Sequence, residues 1–576
     1  MSFYNATAHA RQSQASPSVS LEKGAYRLRA PPSKRPSSHL RHRTRDSRAS
    51  RDGIPPALRY GKQMAVLVMF LICATVACFA TAYYLFTTRW DTASPPHSRS
   101  GIFSSNDIDL HPPPQVIVDF NVDFNLDSPD GGGSRSLISS GFVDPEERFL
   151  AYLPHSGFHN QRIAFENALV LSRLLNRTLL VPPVRLGSKS LSYAPYEALL
   201  HMLIKSSKQD LSHCRLHSTP SLYKQELSTP GSDCVDYLNY TYVPWEWLVD
   251  LSAVKADQKL LHRWNFKDDW LRDSLELGQE DTFALRDSTR DMYGFQDFIS
   301  YSNHGGRKYQ QMIHLSTLAH RSERLIHLGT LFGSSRLHLR NPSNLLLRKA
   351  IRKKMADSNP LLDDIARSIA LTIGATYLGA HVRLGDGQFE ENAERNVRLV
   401  WWKLVHGVLG YSVEQALDME RNFAPDYDTE SMAPPELPMD IKSQDSAPKV
   451  QFSRVFSYLP CNGRRHTDEH LARLNIPLFI STDSLDRSED PRLASLVQTF
   501  PCTFFLADFA EQIGVLDRLY NAYDGLALKP FLVPLLDAMV VARGTRVVGT
   551  EGSTFSCFIE DVLWRVYHKL DIISKG

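Results

Sequence analysis

The sequence predicts an α/β protein with parallel sheets in two Rossmann-like halves, preceded by a transmembrane helix and a disordered basic tail. Three observations predict it. From about residue 146, short apolar runs alternate with stretches of helical period, the pattern of strand and helix layers. Several of those runs end in polar or Gly-containing motifs, as the carboxyl ends of parallel strands do where open sheets bind ligands. Ahead of them lies one uncharged apolar run, Met64 to Phe86.

Residues 1–63 carry thirteen Lys and Arg against three acids, with abundant Ser and Pro and little apolar periodicity. That composition belongs to a disordered basic tail. The run "MAVLVMFLICATVACFATAYYLF" has 23 residues, long enough to cross a hydrocarbon core of about 30 Å. Tyr83 and Tyr84 lie near its far end, at the level of an aromatic belt. The basic flank stays cytoplasmic, so the expectation is a single-pass type II protein of the Golgi or endoplasmic reticulum with a lumenal C-terminal part. Residues 87–145, rich in Ser, Pro, Asp and Gly, read as a stem. The net charge of +2 offers no field for nucleic acid.

Five cysteines follow the span and would meet an oxidising lumen. Cys214 and Cys234 are the favoured pair because the loop between them is local and polar, with Cys461 and Cys502 a second pairing. None has the close spacing of a zinc site. Asn176 and Asn239 head glycosylation sequons; Asn239 is the expected site, since Asn176 reads as partly buried.

The first half, 146–335, opens with a strand over Phe149–Leu153, a turn "PHSGFHN", a helix from Asn160 and a strand over Thr178–Val181 that Pro182 and Pro183 stop. Residues 184–320 read as irregular, with "YVPWEWLVD" framing the substrate side. "RLIHLGTLFGSSRL" supplies another strand and a Gly/Ser turn. The second half, 336–576, begins with helices near 343–356 and 361–373. "ATYLGAHV" is a strand apolar enough to be buried on both faces. An acidic, Pro-containing insert fills 418–449. "IPLFISTD" and "CTFFLAD" are strands ending at Asp483 and Asp508, with a helix from Pro491 to about Thr499 between them. A helix over Lys529–Ala542 follows, and "TRVVGTEGSTFS" closes the series as strand, loop and helix start.

Three motifs at strand ends carry chemistry: "HVRLGD", "GTEGSTFS" and "SGFHNQR". In the second, Ser553 and Thr554 stand at a helix start, where free N–H groups and the helix dipole favour an anion. Arg383 adds a guanidinium that forks two donors at phosphate oxygens. The plainer reading is that Ser553 only caps a helix and that Arg383 and Asp386 form a buried ion pair ordering the loop. Together the groups suit a nucleotide diphosphate. These strand-end groups include neither a Walker A motif nor a DxD-type acidic pair for a metal, so arginine and helix N-termini would stabilise the leaving group.

"GFHNQR…ENALVLSRLLNRTLLVPP", "LGTLFGSSR", "HVRLGD", "ISTD" and "VVGTEGSTFS" resemble the GDP-fucose protein O-fucosyltransferase family over about 148–210 and 325–565. The resemblance implies a GT-B fold, two Rossmann-like domains facing a cleft. It implies inverting transfer from GDP-fucose to a protein or glycan hydroxyl, with no required cofactor and no metal. On this chain Arg383 would contact the β-phosphate and act catalytically. His381 and Asp386 would shape its loop, and Asp483 would hold the guanine side. Ser553, Thr554 and Phe555 would bind phosphates and pack the nucleotide. Gly157, His159 and Asn160 would reach the donor from the other half. Some family members have a proposed glutamate base just before "GF", where this chain has Ser156. His155, His159 and Glu166 are the nearby base candidates. Related rhamnosyltransferases share such motifs, so another nucleotide sugar such as UDP-rhamnose is the alternative donor. An inert lumenal binding protein of the same fold, or a membrane-anchored chaperone, is the non-enzymatic alternative.

Overall fold

The computed structural model describes residues 116–118, 144–217, 234, 236–288, 292–299, 309–355, 359–423, 434–435, 459–484 and 489–573. The basic tail, the apolar run 64–86, almost all of the stem and most of the 418–449 insert lie outside the described residues. Among the described residues no helix is long and apolar enough to cross a membrane.

Two parallel sheets organise the chain. The first contains β1 (Phe149–Ala151), β2 (Thr178–Val181), β3 (Leu260–His262), β4 (Thr282–Leu285) and β5 (Leu325–Leu328), in the order β3-β2-β1-β5-β4. Every neighbouring pair is parallel. β1, β2 and β5 are central and fully buried, so they appear in the sequence as continuous apolar runs. β3 and β4 are the edges, only partly covered, and they come from the stretch 184–320 that reads as irregular. A short edge strand lacks the two-sided apolar signal, which is why the sequence conceals it.

The second sheet contains β6 (Leu378–Val382), β7 (Leu478–Thr482), β8 (Thr503–Phe504) and β9 (Arg546–Gly549), in the order β8-β7-β6-β9, again all parallel. β6 and β7 are buried along their whole length. The expected strand through "CTFFLAD" is only two residues long. Asp508 turns the chain instead, its carboxylate accepting the backbone N–H of Phe505 at 2.8 Å in a one-turn helix.

Helix α1 (Phe158–Leu174) starts two residues earlier than its periodicity predicts, because Gly157 takes the cap position. Helices α2 (Pro342–Lys354) and α3 (Pro360–Ile373) each begin with an Asn cap followed by Pro at the first turn. Asn341 accepts from Ser343, and Asn359 from Leu361 and Leu362. Helix α4 (Lys529–Ala542) is buried nearly all round, with Phe531, Leu535 and Met539 on one side and Leu532, Leu536 and Val540 on others. One apolar core runs from Leu150, Leu179 and Ile326 in the first sheet, through Ile351 and Ile369 of α2 and α3, to Leu536 and Val540 of α4. A second core around Val400, Trp401, Ile480 and Leu496 covers the other face of the second sheet.

The residues expected to frame the substrate side, "YVPWEWLVD", are partly core. Trp245 is 1% exposed and stacks on Phe165 at 4.6 Å. Disulfides join Cys214 to Cys234 and Cys461 to Cys502, and Cys557 remains a thiol outside any disulfide. Asn239 is exposed. Asn176, read as partly buried, is also exposed, on a left-handed turn at φ 51° just after α1.

Candidate active site at the ends of the second sheet

The register of the second sheet decides which side chains meet. Val382 of β6 lies opposite Thr482 of β7, and His381 lies opposite Gly549 of β9. Arg383, Asp483 and Thr550 therefore leave three adjacent strands at the same end. Asp483 accepts the backbone N–H groups of Leu384 at 2.7 Å and Gly385 at 3.1 Å. A Cβ on Gly385 would lie 2.8 Å from the Asp483 carboxylate and would displace it from the loop it holds. Thr550 Oγ1 accepts the backbone N–H of Arg383 at 2.9 Å. The loop carrying the arginine is thus clamped from both neighbouring strands.

The guanidinium is held as well. Its Nη2 lies 2.7 Å from Asp386 Oδ2, and its Nε 3.0 Å from Asp483 Oδ2. Asp483 thereby acts on Arg383 and its loop. The Arg383–Asp386 pair is not buried as expected: the Arg383 side chain is 30% exposed and that of Asp386 53%. The strand end is buried, but the charge projects to a rim where an anion can reach it.

Under this rim sits His381, fully buried. Burial, and then the charge of Arg383, lower its pKa to about 3, so the ring is neutral at physiological pH. Its Nδ1 is 2.7 Å from Ser556 Oγ. Ser553 caps the helix that starts at Thr554, its Oγ accepting the N–H of Ser556 at 3.2 Å. That leaves the Ser553 hydroxyl hydrogen for another acceptor. Phe555 packs its ring 5.3 Å from His381 and 6.0 Å from Phe558. Thr550 and Ser556 stand within "GTEGSTFS", where nothing local in the sequence distinguishes them from their neighbours. Their roles depend on which strand lies beside β6, which no sequence spacing reveals.

The "SGFHNQR" motif meets this cradle through Phe558. The His159 ring is 5.1 Å from Phe558, and the Phe158 ring 5.5 Å. His159 is buried, and burial with the nearby Arg162 charge pushes its pKa well down. Its Nδ1 and the Oδ1 of Asn160 are buried with no hydrogen-bond partner among the described residues. Gly157 caps α1 and is exposed, with open space where a Cβ would project.

Glu166 is not a free base. Arg352 Nε is 3.0 Å from both of its oxygens, Arg162 lies 3.9 Å away, and the carboxylate is buried on α1 against α2. Its work is to neutralise arginines between two helices. His155 is also buried, but its Nδ1 is 2.7 Å from Ser156 Oγ and its Nε2 2.6 Å from Thr330 Oγ1. Burial and the Arg336 charge lower its pKa to about 3.

No family model matches the chain. Over 38 residues, 7% of this chain, the sequence is 55% identical to O-fucosyltransferase 30 of Arabidopsis thaliana, and the match spans 8% of that protein's length. The crystal structure of POFUT1 in complex with GDP aligns at 10% identity and a TM-score of 0.33, covering 75% of this chain and 98% of that one. POFUT1 in complex with GDP-fucose aligns at 11% identity and a TM-score of 0.32, covering 75% and 97%. The resemblance first read from the motifs thus has a counterpart among known proteins: along that 38-residue stretch this chain is similar to an O-fucosyltransferase.

Proposed function

We propose that this chain is a GT-B-type glycosyltransferase that moves fucose from GDP-fucose to a hydroxyl of a protein or glycan, with inversion at the anomeric carbon. The observation that carries the reading is Arg383, clamped at the meeting of three strand ends yet open at the rim, beside the Ser553-capped helix start. The two parallel sheets and the O-fucosyltransferase-like stretch support it. In the reaction the acceptor oxygen bonds to the sugar carbon as the bond to the β-phosphate oxygen breaks. The electron pair stays on GDP, whose growing charge Arg383 and the helix start stabilise. The neutral His381 supports the loop and takes no proton. The Asn160 side-chain Oδ1, buried with no partner among the described residues, would accept a donor hydroxyl. The uncharged run 64–86 supports a type II anchor in the Golgi or endoplasmic reticulum.

The test is thermal shift with GDP, GDP-fucose and UDP, repeated on Arg383→Ala. Stabilisation by the two guanine compounds, lost in the variant without a fall in its ligand-free Tm, is the expected result. Stabilisation by UDP alone would move the donor to a uridine sugar, and no stabilisation by any of the three would refute the enzyme reading.

A further inference from the structure

The loop between β1 and α1 holds a strained serine. Ser156 has φ 65°, a left-handed conformation that L-residues with a Cβ rarely adopt. The strain is pinned from both sides: the Ser156 N–H donates to Leu191 O at 2.6 Å, and Gln161 Nε2 donates to Ser156 O at 3.0 Å. This conformation turns the hydroxyl onto His155, 2.7 Å from Nδ1. Beside it lies a small, partly open hollow of about 10 Å³, room for a single water or hydroxyl, lined by Pro154, His155, Ser156, Gln161, Arg185 and Tyr242. Ser156 is half-buried, and the imidazole behind it is 4% exposed.

The far side of the ring is equally fixed. Nε2 meets Thr330 Oγ1 at 2.6 Å, and Thr330 Oγ1 in turn accepts the N–H of Phe332 at 3.0 Å. Tyr193 and Phe332 pack edge-on, with centroids at 5.4 and 5.7 Å. Arg336 supplies the nearby positive charge, and the buried Asp287 stands 4.0 Å from it. Gly329 is glycine because Asp287 occupies its side-chain space, 2.1 Å from where a Cβ would be. Thr330, Phe332 and Arg336 all belong to "LGTLFGSSR", a motif with no other assigned task.

The geometry points to a proton relay, Ser156 to His155, serving the acceptor hydroxyl in the hollow; this rests on the glycosyltransferase reading above. The tautomer with Nε2–H donated to Thr330 leaves the Nδ1 lone pair facing the Ser156 O–H. As the acceptor oxygen bonds to the sugar carbon and GDP departs, the acceptor proton passes to Ser156 Oγ, and the Ser156 proton passes to Nδ1. The imidazolium later returns its proton to solvent along the same path. A weak base is enough here. An alcohol bonded to an oxocarbenium-like carbon is a far stronger acid than an imidazolium. A base that remains neutral in the ground state stays available throughout the working pH range.

The experiment uses the full chain and water as the acceptor, measuring GDP-fucose hydrolysis, GDP affinity and Tm. Ser156→Gly removes the hydroxyl while suiting the left-handed backbone, so its Tm should hold or rise. Its hydrolysis kcat should fall about 100-fold with GDP affinity unchanged. His155→Gln should lose a similar factor, since an amide can hydrogen-bond there but cannot take a proton. Hydrolysis at the wild-type rate in Ser156→Gly would overturn the relay and leave the glycosyltransferase reading standing. A wild-type chain that neither binds GDP nor hydrolyses GDP-fucose would overturn both.

Discussion

Asp483 shows how one carboxylate fixes a charge it does not itself carry. It accepts two backbone N–H groups of the arginine loop and lies 3.0 Å from Arg383 Nε. Removing it leaves two amides without their acceptor, at a cost of about 1–3 kcal/mol. Asp483→Ala should therefore unfold at lower urea and bind GDP more weakly than wild type. Asp483→Asn, which keeps one carbonyl acceptor, should fall between them. Equal unfolding midpoints for all three proteins would mean that the loop holds its shape without this clamp. Arg383 was legible from "HVRLGD", and Ser553 from its place before a helix. The loss of Glu166 as a base was not legible, because Arg352 arrives from a helix 186 positions away in sequence.

At the level of elements, burial decides what a sequence displays. β1, β2, β6 and β7 are covered on both faces and declare themselves as apolar runs. β3 and β4 pair along one edge only, and their half-covered residues blend into the loops around them. β8 is two residues long, and a covalent link compensates. Cys502, just before it, is fully buried and bonded to Cys461, which fastens the chain returning from the insert to the sheet edge. A separation of 41 residues corresponds to about 4 kcal/mol of lost denatured-state entropy. Cys461→Ser should lower stability by a few kcal/mol, read as a downward shift of the urea midpoint. An unchanged midpoint would show that packing alone secures this edge.

Across the whole molecule, buried polar groups tie the first half to the second. Lys208 is fully buried, 3.9 Å from Asp524, with its ammonium 3.7 Å from the Tyr237 ring and 3.9 Å from the Tyr240 ring. Burial lowers its pKa to about 7, against the raising influence of Asp524. Thr241 Oγ1 donates to Asp524 at 2.7 Å, and Asn521 donates to Thr241 Oγ1 at 2.8 Å and to Tyr242 O at 2.9 Å. Asp524→Ala would leave the buried Thr241 hydroxyl without its acceptor and Lys208 without its counter-charge, so that the lysine loses its proton near neutral pH, a loss of about 1–3 kcal/mol. Its Tm should drop sharply, and the double variant with Lys208→Met should recover part of the loss. A single variant as stable as wild type would show that the halves do not depend on this pair. The sequence by itself determined the alternation of strand and helix, the glycine and hydroxyl motifs at strand ends and the fixed charge of Arg383, because periodicity and residue chemistry are local. Only the tertiary structure decided which strand ends are neighbours, that Asp483 and Thr550 clamp the arginine, that Glu166 is consumed by Arg352, and that Ser156 is turned onto His155. Those are consequences of register and of contacts between distant segments, which chain order does not encode in any local pattern.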